Sequence, residues 1–346
     1  MSKVYIERFS AQVLSADDVV KALEFLEWQR LVPKNARVFI KPNLTWPDPL
    51  PGVTTTPEAI EAVVAVLKEQ TSNISIGESD GGYHSYQAEE AFQGHNLYQI
   101  GKRYGARIVN LSKDKSETIT MTIAGRLMTF TLPHILLHET DVFITMPVPK
   151  THVMTGVSLA FKNQWGCLPS PMRLREHHEF DRKILAINRA LKTKLSILDG
   201  TYFLDGAGPM TGDTIRMNLL IASDDPGAAS AVACSVMGID PSTIRHFRLA
   251  LKEGMFPASL DKVDVNQPLD SFQHRQFRMK RAALDWISLI GFRSKLFTNV
   301  FWESPLAGPL HKILFAVRRN PLAERFLYGK AGTPAEWKAS DEHGRG

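Results

Sequence analysis

The stretch Val38-Phe39-Ile40-Lys41-Pro42-Asn43-Leu44, continued through Thr56-Pro57-Glu58 to Ile74-Ser75-Ile76-Gly77-Glu78, decides the fold. Val38-Phe39-Ile40 is a short apolar run of the kind that fills a strand buried on both faces, and it ends at Lys41-Pro42-Asn43. Thr56 is placed to cap a helix, with Pro57 in the first helical position and Ile60, Val63, Val64 and Leu67 at helical spacing behind it. Ile74 to Gly77 is another buried run, followed by Glu78-Ser79-Asp80-Gly81-Gly82. Strand, helix and strand in succession make a βαβ unit, the building block of a parallel sheet.

Outward from this unit the same alternation continues. Val4 to Phe9 reads as a strand, and Ser15 with Asp18 three residues on reads as the capping box of a helix carrying Val19, Val20, Leu23, Leu26 and Trp28. Ile108 to Leu111, Val142 to Met146 and Leu195 to Leu198 are further strands, the last ending at Asp199-Gly200. Thr118 to Leu132 alternates about Ala124-Gly125 as a hairpin. Ile215 to Ala222 leads into a helix after Asp224-Asp225-Pro226. The expected fold class is α/β: a mostly parallel sheet with flanking helices, a Rossmann-like core, and a basic helical C-terminal segment. The expected divisions are a core over residues 1–255, a basic amphipathic segment over 256–332 and a loose tail over 333–346.

The composition of the 346 residues, 44% hydrophobic and 22% charged, excludes disorder as the main state. Two cysteines, Cys167 and Cys234, cannot supply the four thiolates of an iron–sulfur cluster, so none is expected. No Gly-x-Gly-x-x-Gly follows the first strand and no P-loop pattern occurs, so neither NAD nor a P-loop nucleotide is expected. There is no apolar export signal, and no apolar run nears the roughly 20 residues of a membrane span, which points to a cytoplasmic protein. Between Ser271 and Lys330 eleven Lys/Arg face three acids, a net +8 in a chain of +5, so the remainder is −3. With Phe, Trp and Tyr interleaved, that segment suits either helices packed on the core or a peripheral contact with anionic lipid at the inner membrane face. Nucleic acid is not expected, since no module that reads it is present.

Polar residues collect where four strands end, the place where open α/β sheets bind ligands. They are Lys41 and Asn43; Glu78, Asp80 and His84; Lys150 and His152; and Asp199, Asp205 and Gly208. Each alone reads as an ordinary turn; together they point to one pocket. Thr155, Gly156, Ser158, Lys162 and Asn163 add small residues and charge suited to an anion, a phosphate or a carboxylate, and the alternative is a solvated basic loop. The expected binding set is therefore Lys41, Asn43, Lys150, Thr155, Gly156, Ser158, Asn163 and Gly208. His84, His152 and Lys162 are the candidates for proton transfer. Glu78, Asp80, Asp199, Asp205 and His178 are candidate ligands for a divalent metal, although their spacing is not compact.

These motifs resemble the domain-of-unknown-function family 362. The resemblance rests on Val38 to Leu44 with Thr54-Thr55-Thr56-Pro57, on Pro149-Lys150-Thr151-His152 with Phe161-Lys162-Asn163-Gln164-Trp165-Gly166, and on Leu198-Asp199-Gly200, Asp205-Gly206-Ala207-Gly208-Pro209 and Ser223-Asp224-Asp225-Pro226. It implies an aspartate one helical turn after the Asp-Pro pair, where this chain has Ser230. A more distant resemblance is to the lactate racemase family. That likeness implies a nickel-pincer nucleotide joined to a lysine, with His152, Gly156, Ser158, Lys162 and His178 in a similar order and His84 as an earlier catalytic histidine. Leu159-Ala160-Phe161 replaces the glycine-rich approach to that lysine. The leading expectation is an enzyme acting on a small anionic substrate; the alternatives are a racemase-like enzyme with the lysine-linked cofactor, and a non-catalytic scaffold at the membrane surface.

Overall fold

A computed structural model describes residues 1–82, 85–273, 275–281, 286, 289, 291 and 294–305. In chain order the elements begin with β1 (Ser2–Arg8), α1 (Ala16–Phe25), β2 (Val38–Pro42), α2 (Pro57–Leu67), β3 (Ile74–Glu78), α3 (Ala88–Gly94), α4 (Leu97–Tyr104) and β4 (Arg107–Asn110). A hairpin of β5 (Ser116–Ile123) and β6 (Arg126–Pro133) follows, then α5 (His134–His138), β7 (Val142–Met146), β8 (Lys150–His152), β9 (Gly156–Ser158) and α6 (Ala160–Asn163). The remainder is α7 (Phe180–Leu191), β10 (Leu195–Asp205), β11 (Asp213–Ser223), α8 (Pro226–Val236), α9 (Arg245–Lys252), β12 (Val263–Val265) and α10 (Lys295–Glu303).

The main sheet has the order β12-β1-β11-β10-β7-β2-β3-β4, with β8 and β9 attached beside β10, while β5 and β6 form a two-stranded sheet of their own. From β10 to β4 every pairing is parallel, and β11 runs against its neighbours. From β2 the chain winds outward to β3 and β4, then returns to β7 on the other side. The direction of winding therefore reverses between β2 and β7, and the crevice beyond their carboxyl ends is the expected binding place of such a sheet.

Side-chain alternation sorts the core into two layers. Val38, Ile40, Val142, Ile144 and Ile76 pack under α1, α2, α3 and α4. Phe39, Phe143, Leu198 and Ile221 face α6, α7, α8, α9 and the hairpin. Ile60, Val63, Val64 and Leu67 of α2 are fully buried, worth roughly 1.5–3 kcal/mol each relative to exposure. Both caps read from the sequence are present: the Ser15–Asp18 capping box on α1, and Thr56 accepting from the Ala59 amide on α2. Ala124 and Gly125, with φ of 47° and 71°, turn the hairpin.

Two expectations are corrected. β10 does not end at Asp199-Gly200 but continues to Asp205, with its register against β11 shifting between Gly200 and Tyr202. Gly200 permits this, because a Cβ there would lie 2.4 Å from the Leu219 carbonyl oxygen. Past residue 256 the chain first adds β12 to the edge of the main sheet, parallel to β1, and buries Phe272 and Phe277 in the core. α10 packs against the turn at Arg173–Glu179. The rest of the basic segment, and the tail over 333–346, lie outside the described residues.

Candidate functional site

The switch point carries a polar cleft. Lys41, Asn43, Glu78, Lys150, Ser158, Lys162 and Asn163 all line it, joined by Thr45, Tyr86, Trp165, Gly166, Arg173 and Pro209 around a cavity of about 80 Å³. Lys41 sits two residues beyond Phe39 on β2 and so points to the same face of the sheet. Its Nζ is 2.5 Å from Glu78 Oε2 and 2.7 Å from the Pro42 carbonyl oxygen, with both side chains buried. Glu78 also accepts from the amides of Leu44 (3.2 Å) and Ser79 (3.0 Å). A Cβ on Gly166 would come 2.7 Å from Glu78 Oε1 and 3.0 Å from Lys41 Nζ, so only glycine lets that backbone lie against the ion pair. Asn163 ties α6 to this floor, donating to Lys41 O at 3.0 Å and Thr145 Oγ1 at 2.8 Å.

Lys150 and Lys162 are held differently. Lys150 is fully buried and donates to the Val53 carbonyl at 2.6 Å. Burial, and then the neighbouring charges of Lys162 and Lys41, push its ammonium well below the ordinary lysine range. Lys162 is half-buried and its Nζ lies 5.3 Å from the Phe180 ring centroid. Desolvation, with Arg173 and Lys41 nearby, lowers it to about 7. Among the described residues Lys162 Nζ has no hydrogen-bond partner. Arg173, from the turn after the cleft, reaches the Asp80 carbonyl with Nη2 at 3.0 Å. The lining thus holds four basic side chains (Lys41, Lys150, Lys162 and Arg173) against one carboxylate, Glu78, which Lys41 already neutralises.

The other expected residues within the described part of the chain do not line the cleft. His152 is buried beside the cleft, accepting from the Met154 amide at 3.1 Å; burial, then Lys162 and Lys150, hold it well below its ordinary range. Thr155 donates to the Val157 carbonyl at 2.9 Å. Gly156, at φ +86°, leaves no room for a Cβ beside Ile244. Gly208 lies where a Cβ would meet the Thr151 carbonyl at 2.0 Å, so it permits β8 to pass and leaves Pro209 to line the cavity. His84 lies outside the described residues.

The five expected metal ligands are not gathered to one point. Glu78 is bound to Lys41. Asp80 Oδ1 accepts from the Ala88 amide and Asn110 Nδ2, both at 2.9 Å. Asp199 Oδ2 takes the amide and hydroxyl of Thr56 at 2.7 Å each, while Oδ1 takes those of Thr201 at 3.1 and 2.6 Å. Asp205 binds Arg275 and the Arg278 amide, fastening the C-terminal stretch to β10. His178 Nδ1 contacts the Arg175 carbonyl at 3.1 Å and does not line the cleft. Ser230 is buried within α8, donating back to the Pro226 carbonyl.

Sequence reading passed over Tyr86, Trp165 and Gly166 as lining, and His246 altogether. His246 is buried, with burial and then Lys162 pushing it down to about 3. Arg173 enters the lining from the turn at Arg173–Glu179, and nothing in its sequence spacing points there.

Among solved structures the chain is similar to the lactate racemase apoprotein of Thermoanaerobacterium thermosaccharolyticum, at 14% identity and a TM-score of 0.46, over 69% of this chain and 58% of that one. It is also similar to a Thermotoga maritima protein at 12% identity and a TM-score of 0.36, over 55% of this chain and 51% of that one. The chain thus spans little more than half the length of either structure. The thylakoid-associated protein sll1697 of Synechocystis sp. is 28% identical over 239 residues, covering 65% of this chain and 70% of that protein. Residues 38–235, more than half of the chain, match the family described as Domain of unknown function (DUF362), and the chain is a member of that family.

Proposed function

We propose that the cleft binds the anionic group of a small substrate, a carboxylate or a phosphate, and that the protein is an enzyme in which Lys162 both meets that group and exchanges a proton. The observation that carries this is Lys162 Nζ, which faces the cleft without an acceptor among the described residues while the one lining carboxylate is paired with Lys41. An anion entering there supplies the missing counter-charge to Lys162 and Arg173. An amine near pH 7 is also suited to general acid–base work. A cavity of about 80 Å³ is far below the roughly 300–1,000 Å³ of pockets that enclose drug-sized ligands. It suits a small anionic group, and His178 stands outside the lining. The test is calorimetric titration with inorganic phosphate and with propionate. Lys162→Ala is expected to weaken binding at least tenfold with an unchanged circular dichroism spectrum, and equal binding by both proteins would refute the role.

A second reading, peripheral membrane contact, has its own support. Leu296, Phe297 and Val300 are exposed on α10, following Lys295, and among the described residues no helix is long and apolar enough to cross a membrane. A family relative is named as thylakoid-associated. Flotation with vesicles containing an anionic lipid is expected to carry the wild-type chain and to leave a Leu296→Glu/Val300→Glu variant behind. If both behave alike, α10 plays no such part.

A further inference from the structure

Away from the cleft, at the foot of the hairpin, three side chains converge that no step of the proposed function uses. His134 and His138 stand one helical turn apart on α5, with ring centroids 4.5 Å apart. Glu117, on β5, reaches both: its Oε1 is 2.9 Å from His134 Nδ1 and 2.8 Å from His138 Nε2. One ligand atom from each residue lies within 4.8 Å of the others. The two imidazoles hold the Glu117 carboxyl below its ordinary range.

From this convergence we propose that Glu117, His134 and His138 form a surface site for a transition-metal dication of the zinc class, with solvent completing the coordination. Two imidazoles and a carboxylate are the nitrogen and oxygen donors that such ions take, and they suit magnesium or calcium poorly. Tetrahedral zinc with bonds of about 2.0–2.2 Å sets its ligand atoms roughly 3.4 Å apart. Glu117 stands 2.9 and 2.8 Å from the two imidazoles and no pair is more than 4.8 Å apart, so rotation of the side chains admits the ion.

The scaffold holds these groups in place. β5 is in register with β6, Glu117 opposite Leu132, and Ile135 and Leu136 bury the other side of α5. Asp114 accepts the Ile135 amide at 2.8 Å and Thr140 donates to the Ile135 carbonyl at 2.8 Å, fixing the turn that carries both histidines. With His134 ligating through Nδ1, its Nε2 faces Glu139 at 4.0 Å, the kind of carboxylate backing that orients a metal-bound imidazole. A bound ion clips the hairpin to α5, and because the unfolded chain lacks the site, binding stabilises the fold.

The test uses the full chain, stripped with chelator and titrated with zinc chloride against a chromophoric chelator. One equivalent of zinc per chain is expected, with affinity falling at least tenfold in His138→Ala and in Glu117→Ala and unchanged in Lys162→Ala. Zinc is also expected to raise the melting temperature of the wild type and not that of a His134→Ala/His138→Ala variant. All these side chains are at least partly exposed, so the variants keep the fold. The proposal is overturned if the wild type binds no stoichiometric zinc, if His138→Ala and Glu117→Ala bind as the wild type does, or if Lys162→Ala is the variant that loses it.

Discussion

His152 and His246 are buried at 6% and 1% exposure, and both stay neutral in the folded chain. In the unfolded chain a histidine protonates near pH 6.5, so between that value and the lower folded one the unfolded state binds more protons. The histidine contribution to stability is therefore complete above about pH 7 and falls as pH drops. His246, held down to about 3, is expected to remove about 1.4 kcal/mol between pH 7.5 and 5.5, checked by urea denaturation at the two values with the wild type and with His246→Phe. A slope unchanged by the substitution would show His246 already charged or solvated. The cysteines need no such account. Cys167 is buried and pushed up to about 12, chiefly by desolvation, so it is a core thiol as its surroundings suggest. Single residues were the hardest scale to read from the sequence. Lys41, Asn43, Lys150, Ser158, Lys162 and Asn163 do meet at one cleft. Asp199 and Asp205 sit in equally suggestive surroundings, yet they anchor backbone and arginine.

At the scale of elements, the β2-α2-β3 unit was legible because each boundary has a local physical cause: an apolar run, a threonine cap and a proline at the first helical position. β8 and β9 were not, since three-residue strands carry too little periodicity to separate from a loop. The continuation of β10 past Asp199-Gly200 was hidden because the bulge depends on backbone pairing with β11, which side-chain pattern does not reveal. Asp199 shows what that continuation achieves. It carries the carboxylate that holds the amide and hydroxyl of Thr56, the cap of α2, and so joins β10 to the start of that helix. Replacing Asp199 with Ala leaves two buried donors on Thr201 and two half-buried ones on Thr56 without their acceptor and is expected to cost about 2–4 kcal/mol, read as a lower denaturation midpoint. A loss below 1 kcal/mol would show that these bonds contribute little.

Across the whole molecule, the parallel half of the sheet sets where the cleft lies, and its charge distribution is what supports the proposed anionic ligand. The strand-end reading located the cleft because the reversal of winding is a property of topology, and topology follows from the order of βαβ units. The sequence could not show which charges remain uncompensated, because that depends on the pairing of Lys41 with Glu78 across two strands and on the return of Arg173 over the opening. Nor did it show that β12 joins the edge of the sheet, through backbone pairing that side-chain patterns do not reveal.

The most direct measurement is the affinity for propionate from pH 6 to pH 9, a range over which that anion keeps its charge. With Lys162 lowered to about 7 and the anion favouring its protonated form, binding is expected to be nearly constant below pH 7. Above it, binding weakens by up to tenfold per pH unit, while Lys162→Ala binds weakly with no such step. A wild-type affinity that is flat from pH 6 to pH 9, or a step that persists in Lys162→Ala, would contradict Lys162 as the residue that meets the anion.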